Sequence, residues 1–168
     1  MKSRFRNPVG PGKKAEFPRR LFLSVVGLNT LLFGTFRPTK VLAHVVADTE
    51  IDQPHTSDDM AFIQRAFKMR QLALSYGDQG YGAIVVMDGK IIGQSWSRVA
   101  LDYDPTGHAE MSAIRDAARR QQVQHLGGSV LYSSSRPCAM CQAAANWSGV
   151  QQMVYGRNAT KGGAPKLC

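Results

Sequence analysis

The sequence predicts an α/β fold: a mixed sheet that opens with an antiparallel hairpin and carries helices on both faces. Three observations support this. Two β-branched runs flank Asp88-Gly89, strand-like and helix-like segments alternate from there to Gly156, and the segment before the hairpin has apolar residues at helical spacing. A length of 168 residues with 43% apolar content suffices for one packed domain.

The formal charge of +9 is unevenly placed. Residues 1–47 hold nine Lys/Arg against one acid, Glu16, a net of +8, and the remaining twelve basic and eleven acidic residues leave +1. Within the basic leader, Arg19-Arg20-Leu21-Phe22-Leu23 opens an apolar run from Leu21 to Gly34. A bilayer span needs roughly twenty apolar residues, so the run suits a signal h-region better. The arginine pair resembles the twin-arginine export signal, and Val45-Val46-Ala47 offers a cleavage site. The chain therefore divides into an export leader (1–47) bound for the periplasm, a linker (48–56) and one domain (57–168), with no membrane segment beyond the leader. The alternative for 1–47 is an uncleaved tail. A domain near +1 also argues against a nucleic-acid partner.

In chain order, Thr56-Ser57-Asp58-Asp59 offers a helix start. Ala61, Phe62, Phe67, Leu72 and Ala73, with Ala66 and Met69, form one stripe, and Gly77 is a stop. Ala83–Met87 and Lys90–Gln94 form the hairpin, because Asp-Gly tolerates the positive φ that both turn positions need. Residues 108–121 read as a helix, 129–133 as a strand, the segment opening at Pro137 as a helix and 151–156 as a strand. Lys161 to Cys168 reads as a Gly/Pro-rich tail.

Two motifs carry the chemistry. His108-Ala109-Glu110 and Pro137-Cys138-Ala139-Met140-Cys141 supply one imidazole and two thiolates, a ligand set for Zn²⁺ that leaves a tetrahedral corner free for water. Glu110 is not needed as a ligand and is placed to carry protons beside that water. Cys138 and Cys141 fall on one side of a first helical turn, where the dipole favours thiolates. A redox C-x-x-C would leave His108 and Glu110 idle. A structural zinc site needs a fourth ligand, and the only other cysteine is Cys168. His44, His55 and His125 stand isolated.

The pattern H-x-E…P-C-x-x-C is that of the zinc deaminases. With Gly82-Ala83-Ile84-Val85-Val86, Ile92-Gly93, Asp104-Pro105-Thr106-Gly107 and Val154-Tyr155-Gly156, it resembles the cytidine and deoxycytidylate deaminase superfamily over about residues 58–165. Within that superfamily the likeness is to the branch of guanine deaminases and tRNA adenosine deaminases. The resemblance implies a three-layer α/β/α fold, one zinc per subunit held by His108, Cys138 and Cys141, and a homodimer. It also implies hydrolytic deamination of a nucleobase, nucleoside or related aminated heterocycle. Zinc lowers the pKa of a bound water, and Glu110 shuttles the proton to the ring nitrogen and leaving amine.

The sequence departs from the family at Arg136, where Glu is usual, at Gly107 for Ala, and at Ser97, where an Asn often binds the base. Relatives also continue past Gly162. Ser97 is carried over as a substrate contact, and so is Trp147, which resembles the Tyr-Trp-Ala run of guanine deaminases; a core or interface aromatic is its other reading. Two alternatives stay open: a zinc-binding protein of this fold without activity, and a tRNA adenosine deaminase.

Overall fold

A computed structural model describes residues 50–167. The leader read at 1–47 and Cys168 lie outside the described residues. The elements are α1 (Asp59–Ser75), β1 (Gly82–Met87), β2 (Lys90–Trp96), α2 (Ala109–Gln121), β3 (Val130–Ser133), α3 (Ala139–Trp147), β4 (Gln152–Tyr155) and β5 (Thr160–Gly163). No helix among the described residues is long and apolar enough to cross a membrane.

Asp58, not Thr56, caps α1: its carboxylate accepts from the Ala61 N–H at 2.8 Å, answering one of the free donors of the first turn. The buried face is Phe62, Ile63, Ala66, Met69 and Ala73. At 100° per residue these cluster on one side, with Phe67 and Leu72 flanking them left and right, so both stay partly open. Gly77 follows the helix at φ +78°, as a left-handed terminator does.

The five strands run in the order β2-β1-β3-β4-β5, with β3 and β4 parallel and the other pairs antiparallel. The hairpin turn has φ of +50° at Asp88 and +71° at Gly89, the geometry the dipeptide predicts. A bulge pairs Val85 with Gly93 but Val86 with Ile91, leaving Ile92 unpaired. The period of two then sorts the core. Ala83, Val85, Leu131 and Met153 pack with α2 and α3, while Ile84, Val86, Tyr132 and Val154 pack with α1. This is the three-layer α/β/α arrangement.

Three sequence expectations change. The tail contains β5, an edge strand pairing with β4 after the turn at Gly156–Ala159. Thr-Lys-Gly-Gly shows no apolar alternation, so its pairing comes from the turn and not from a buried face. Pro137 stands before the N-cap of α3, and the cap is Cys138. The described end of the linker is docked: Gln53 accepts from the Ile91 N–H at 2.8 Å and donates to its carbonyl at 2.9 Å, continuing the edge of β2.

Candidate active site

α2 and α3 begin at the same end of the sheet, and their N-caps are His108 and Cys138. A tight loop delivers His108. Asp104 Oδ1 accepts from the Thr106 N–H at 2.8 Å, Arg98 N–H donates to Gly107 O at 2.8 Å, and His108 O accepts from Ser112 N–H at 2.9 Å. A Cβ on Gly107 would come within 3.1 Å of Asp104 O, so the loop is close-packed there.

Asp78, buried just after α1, anchors the other wall of this loop. Its carboxylate accepts from the Ser97 hydroxyl at 2.7 Å and from the N–H groups of Gln79, Ala100 and Leu101 at 2.7, 3.0 and 2.9 Å. Desolvation pushes its pKa up, but the Leu101, Ser97, Gln79 and Ala100 hydrogen bonds outweigh that and hold the carboxyl below its ordinary value.

The three proposed ligands meet. Cys138 Sγ and Cys141 Sγ are 3.6 Å apart, and each lies 3.6 Å from His108 Nδ1. A tetrahedral zinc with Zn–S of about 2.3 Å and Zn–N of about 2.0–2.1 Å needs about 3.8 Å between sulfurs and about 3.6 Å from sulfur to nitrogen. The triangle therefore fits one such ion, and among the described residues it is the one His/Cys/Asp/Glu group of metal-holding geometry. Cys141 is fully buried and Cys138 is exposed. Burial pushes the Cys141 thiol up, and the Glu110 carboxylate pushes it further, which reverses the lowering expected from the helix start. Loading the site with a cation therefore expels a proton from this thiol.

Glu110 is 4% exposed, and its two oxygens have different partners. Oε1 accepts from the Ser133 hydroxyl at 2.7 Å, and Oε2 lies 3.6 Å from Cys141 Sγ, on the donor side. Ser133 was not singled out in the sequence. Its cue is a polar residue two positions after Leu131, on the strand face that is otherwise apolar. A cleft of about 310 Å³ opens above this group, lined by Gln79, Tyr81, His108, Glu110, Ser135 and Arg136 among others. Arg136 thus stands at the mouth, as its place before Pro137-Cys138 predicts. Ser97 and Trp147 do not line the cleft. Ser97 is fully buried with its hydroxyl given to Asp78, and Trp147 is 76% exposed at the far end of α3.

Fold and donor set together define an α/β/α domain that can hold a single metal ion from two helix starts. The chain belongs to the family of the cytidine and deoxycytidylate deaminase zinc-binding region, whose model matches residues 56–157. It is 36% identical over 94 residues to a tRNA-specific adenosine deaminase of Aquifex aeolicus, covering 56% of this chain and 62% of that one. It is also 36% identical over 95 residues to the guanine deaminase of Bacillus subtilis, covering 56% and 61%. The solved structure of that guanine deaminase superposes with a TM-score of 0.55 at 34% identity, covering 56% of this chain and 61% of the other. The chain spans about three fifths of the length of the curated relatives it matches. Relatives named for tRNA stand beside one named for a free base, a breadth that the near-neutral charge of the domain did not suggest.

Proposed function

We propose that the protein is a hydrolytic deaminase of an aminated nucleobase-type heterocycle, working in the cleft above His108, Cys138 and Cys141. The observation that carries this is a buried carboxylate, Glu110, with one oxygen fixed by Ser133 and the other turned to the metal-holding triangle. When bound, Zn²⁺ supplies a polarised water at a pH near neutrality. The chain's own residues do the rest. Ser133 holds Oε1, so Oε2 is the atom that takes a proton from the attacking water. Glu110 passes that proton to the ring nitrogen and then assists the exocyclic amine. Oxygen adds to the amidine-type carbon, the C–N bond breaks, ammonia leaves and the ring keeps a carbonyl. Burial keeps the carboxylate away from bulk water during the transfer.

A purine substrate is the preferred reading, supported by the guanine deaminase relative. An adenosine within RNA is the second, supported by the tRNA-specific relatives. Ammonia release from a panel of purines, pterins, pyrimidines and an RNA stem-loop separates them. With the active member, Glu110→Ala is expected to lower the rate by roughly 10²–10⁴-fold while zinc stoichiometry stays at one. Retained zinc with silence across the panel would identify an inactive member of the family instead.

The leader at 1–47 supports export by the twin-arginine route, which cell fractionation tests, and the family likeness supports a homodimer, which sedimentation tests.

A further inference from the structure

The cleft beside Glu110 is small. At about 310 Å³ it lies at the low end of ligand sites, which run roughly 300–1,000 Å³. Gln79, Tyr81 and Ser135 also line a second, more open groove of about 740 Å³, whose other walls come from α1 (Phe67, Arg70 and Leu74) and from Arg157 after β4. The cleft and the groove thus share a wall at Gln79, Tyr81 and Ser135, with two guanidinium groups on the groove's side.

Those two groups are unbalanced. No Asp or Glu lines the groove. Among the described residues neither Arg70 nor Arg157 forms an ion pair, whereas Arg65, Arg98 and Arg120 each do. Arg70 Nε donates to Gly80 O at 2.9 Å, which fixes the head and leaves its terminal N–H groups to the groove. Both guanidinium carbons stand over the Phe67 ring, at 6.0 and 4.9 Å from its centroid, so one aromatic orients the pair. Two cations lining one groove that no acid lines favour an anion there. A planar fork of donors matches a phosphate in geometry as well as charge. The net +1 of residues 48–168 conceals this because its charges are not evenly spread.

We propose, resting on the deaminase reading of the adjoining cleft, that this groove is a phosphate subsite and that the substrate is a nucleoside phosphate. Its ring lies beside Glu110 and its phosphate on Arg70 and Arg157.

The test measures binding of guanosine and guanosine 5′-monophosphate to the full, zinc-loaded chain by calorimetry, with adenosine and its monophosphate alongside. The monophosphate is expected to bind about 10-fold tighter or more, the usual worth of charged hydrogen bonds, and to lose this advantage as salt rises. In Arg157→Gln, an exposed side chain whose loss leaves the fold intact, the ratio falls. In the double substitution with Arg70→Gln it approaches one. Equal binding of nucleoside and monophosphate, or a preference that survives both substitutions, overturns the subsite. Ammonia release is read separately. A phosphate preference without ammonia from any compound sinks the deaminase reading and keeps the subsite, and ammonia release with no phosphate preference does the reverse. An RNA stem-loop that binds tighter than the monophosphate, and weakens in the same variants, supports the subsite with a strand as the phosphate source. A weaker one, with the monophosphate preference intact, supports it with the free nucleotide.

Discussion

The two faces of the sheet are packed by different means. Against α2 and α3 the buried residues include Ala83, Ala109, Ala113, Ala117 and Ala145, and among the described residues no aromatic ring. Against α1 they include Phe62, Ile63, Met69, Trp96 and Tyr132. Short side chains let backbones touch: a Cβ on Gly93 would lie 2.5 Å from Ala117 N. α1 makes such an approach at Gly82, where a Cβ would lie 2.2 Å from Arg70 N, and its buried face also carries Phe62, Ile63 and Met69. Alanine has no rotamers to adjust, so backbone contact sets the distance from α2 to the sheet, and with it the positions of His108 and Glu110. Large side chains remove far more apolar surface from water. Site geometry is therefore set on one face, while the other supplies the aromatic part of the buried apolar surface.

That division can be broken from either side. Phe62→Ala removes a ring that packs on Tyr132 with centroids 5.1 Å apart, and is expected to cost about 3–5 kcal/mol of unfolding free energy. Because α1 carries none of the metal donors, the folded fraction should still bind one zinc with unchanged affinity. A chemical melt beside a zinc titration checks both halves, and a matching loss of zinc affinity would show the faces to be coupled. Gly93→Ala should cost less stability, about 1–3 kcal/mol, because the strain is relieved by moving α2. That movement displaces the donor triangle, so zinc affinity should fall by about 10-fold or more. A variant that loses stability and keeps its zinc affinity would refute the role given to the close-packed face.

The same contrast decides what the sequence reveals. The hairpin, α2 and the metal donors are legible because local chemistry fixes them: an Asp-Gly turn, and ligands whose types and spacing admit few other uses. The tilt of α1 is less so. Its stripe as read includes Leu72 and omits Ile63, since several apolar residues surround the helix and only the sheet decides which point inward. β5 was invisible because it buries no apolar side and is held by its neighbour's backbone. Ser133 and the Arg70–Arg157 pair were invisible because their partners are far away in sequence. Ser97, carried over from a family position, is occupied instead by Asp78, a contact across 19 residues.

Asp78 joins the two faces, and it gives the smallest and sharpest test. It follows α1, yet its carboxylate holds Ser97, Ala100 and Leu101, the start of the loop that leads to α2. Its folded pKa lies below the ordinary carboxylate value. The stability it contributes is therefore fully present above the unfolded pKa of about 3.9 and is lost as pH falls through the folded value. Asp78→Asn keeps the shape but turns a donor toward donors, and should cost about 1–2 kcal/mol near neutrality. Melting midpoints of both proteins, measured from pH 7 down to about pH 2, should keep their gap to about pH 4 and narrow below it as the wild-type carboxyl protonates. A gap that stays constant over that range would mean the charge contributes nothing, and that the join between the faces rests on packing alone.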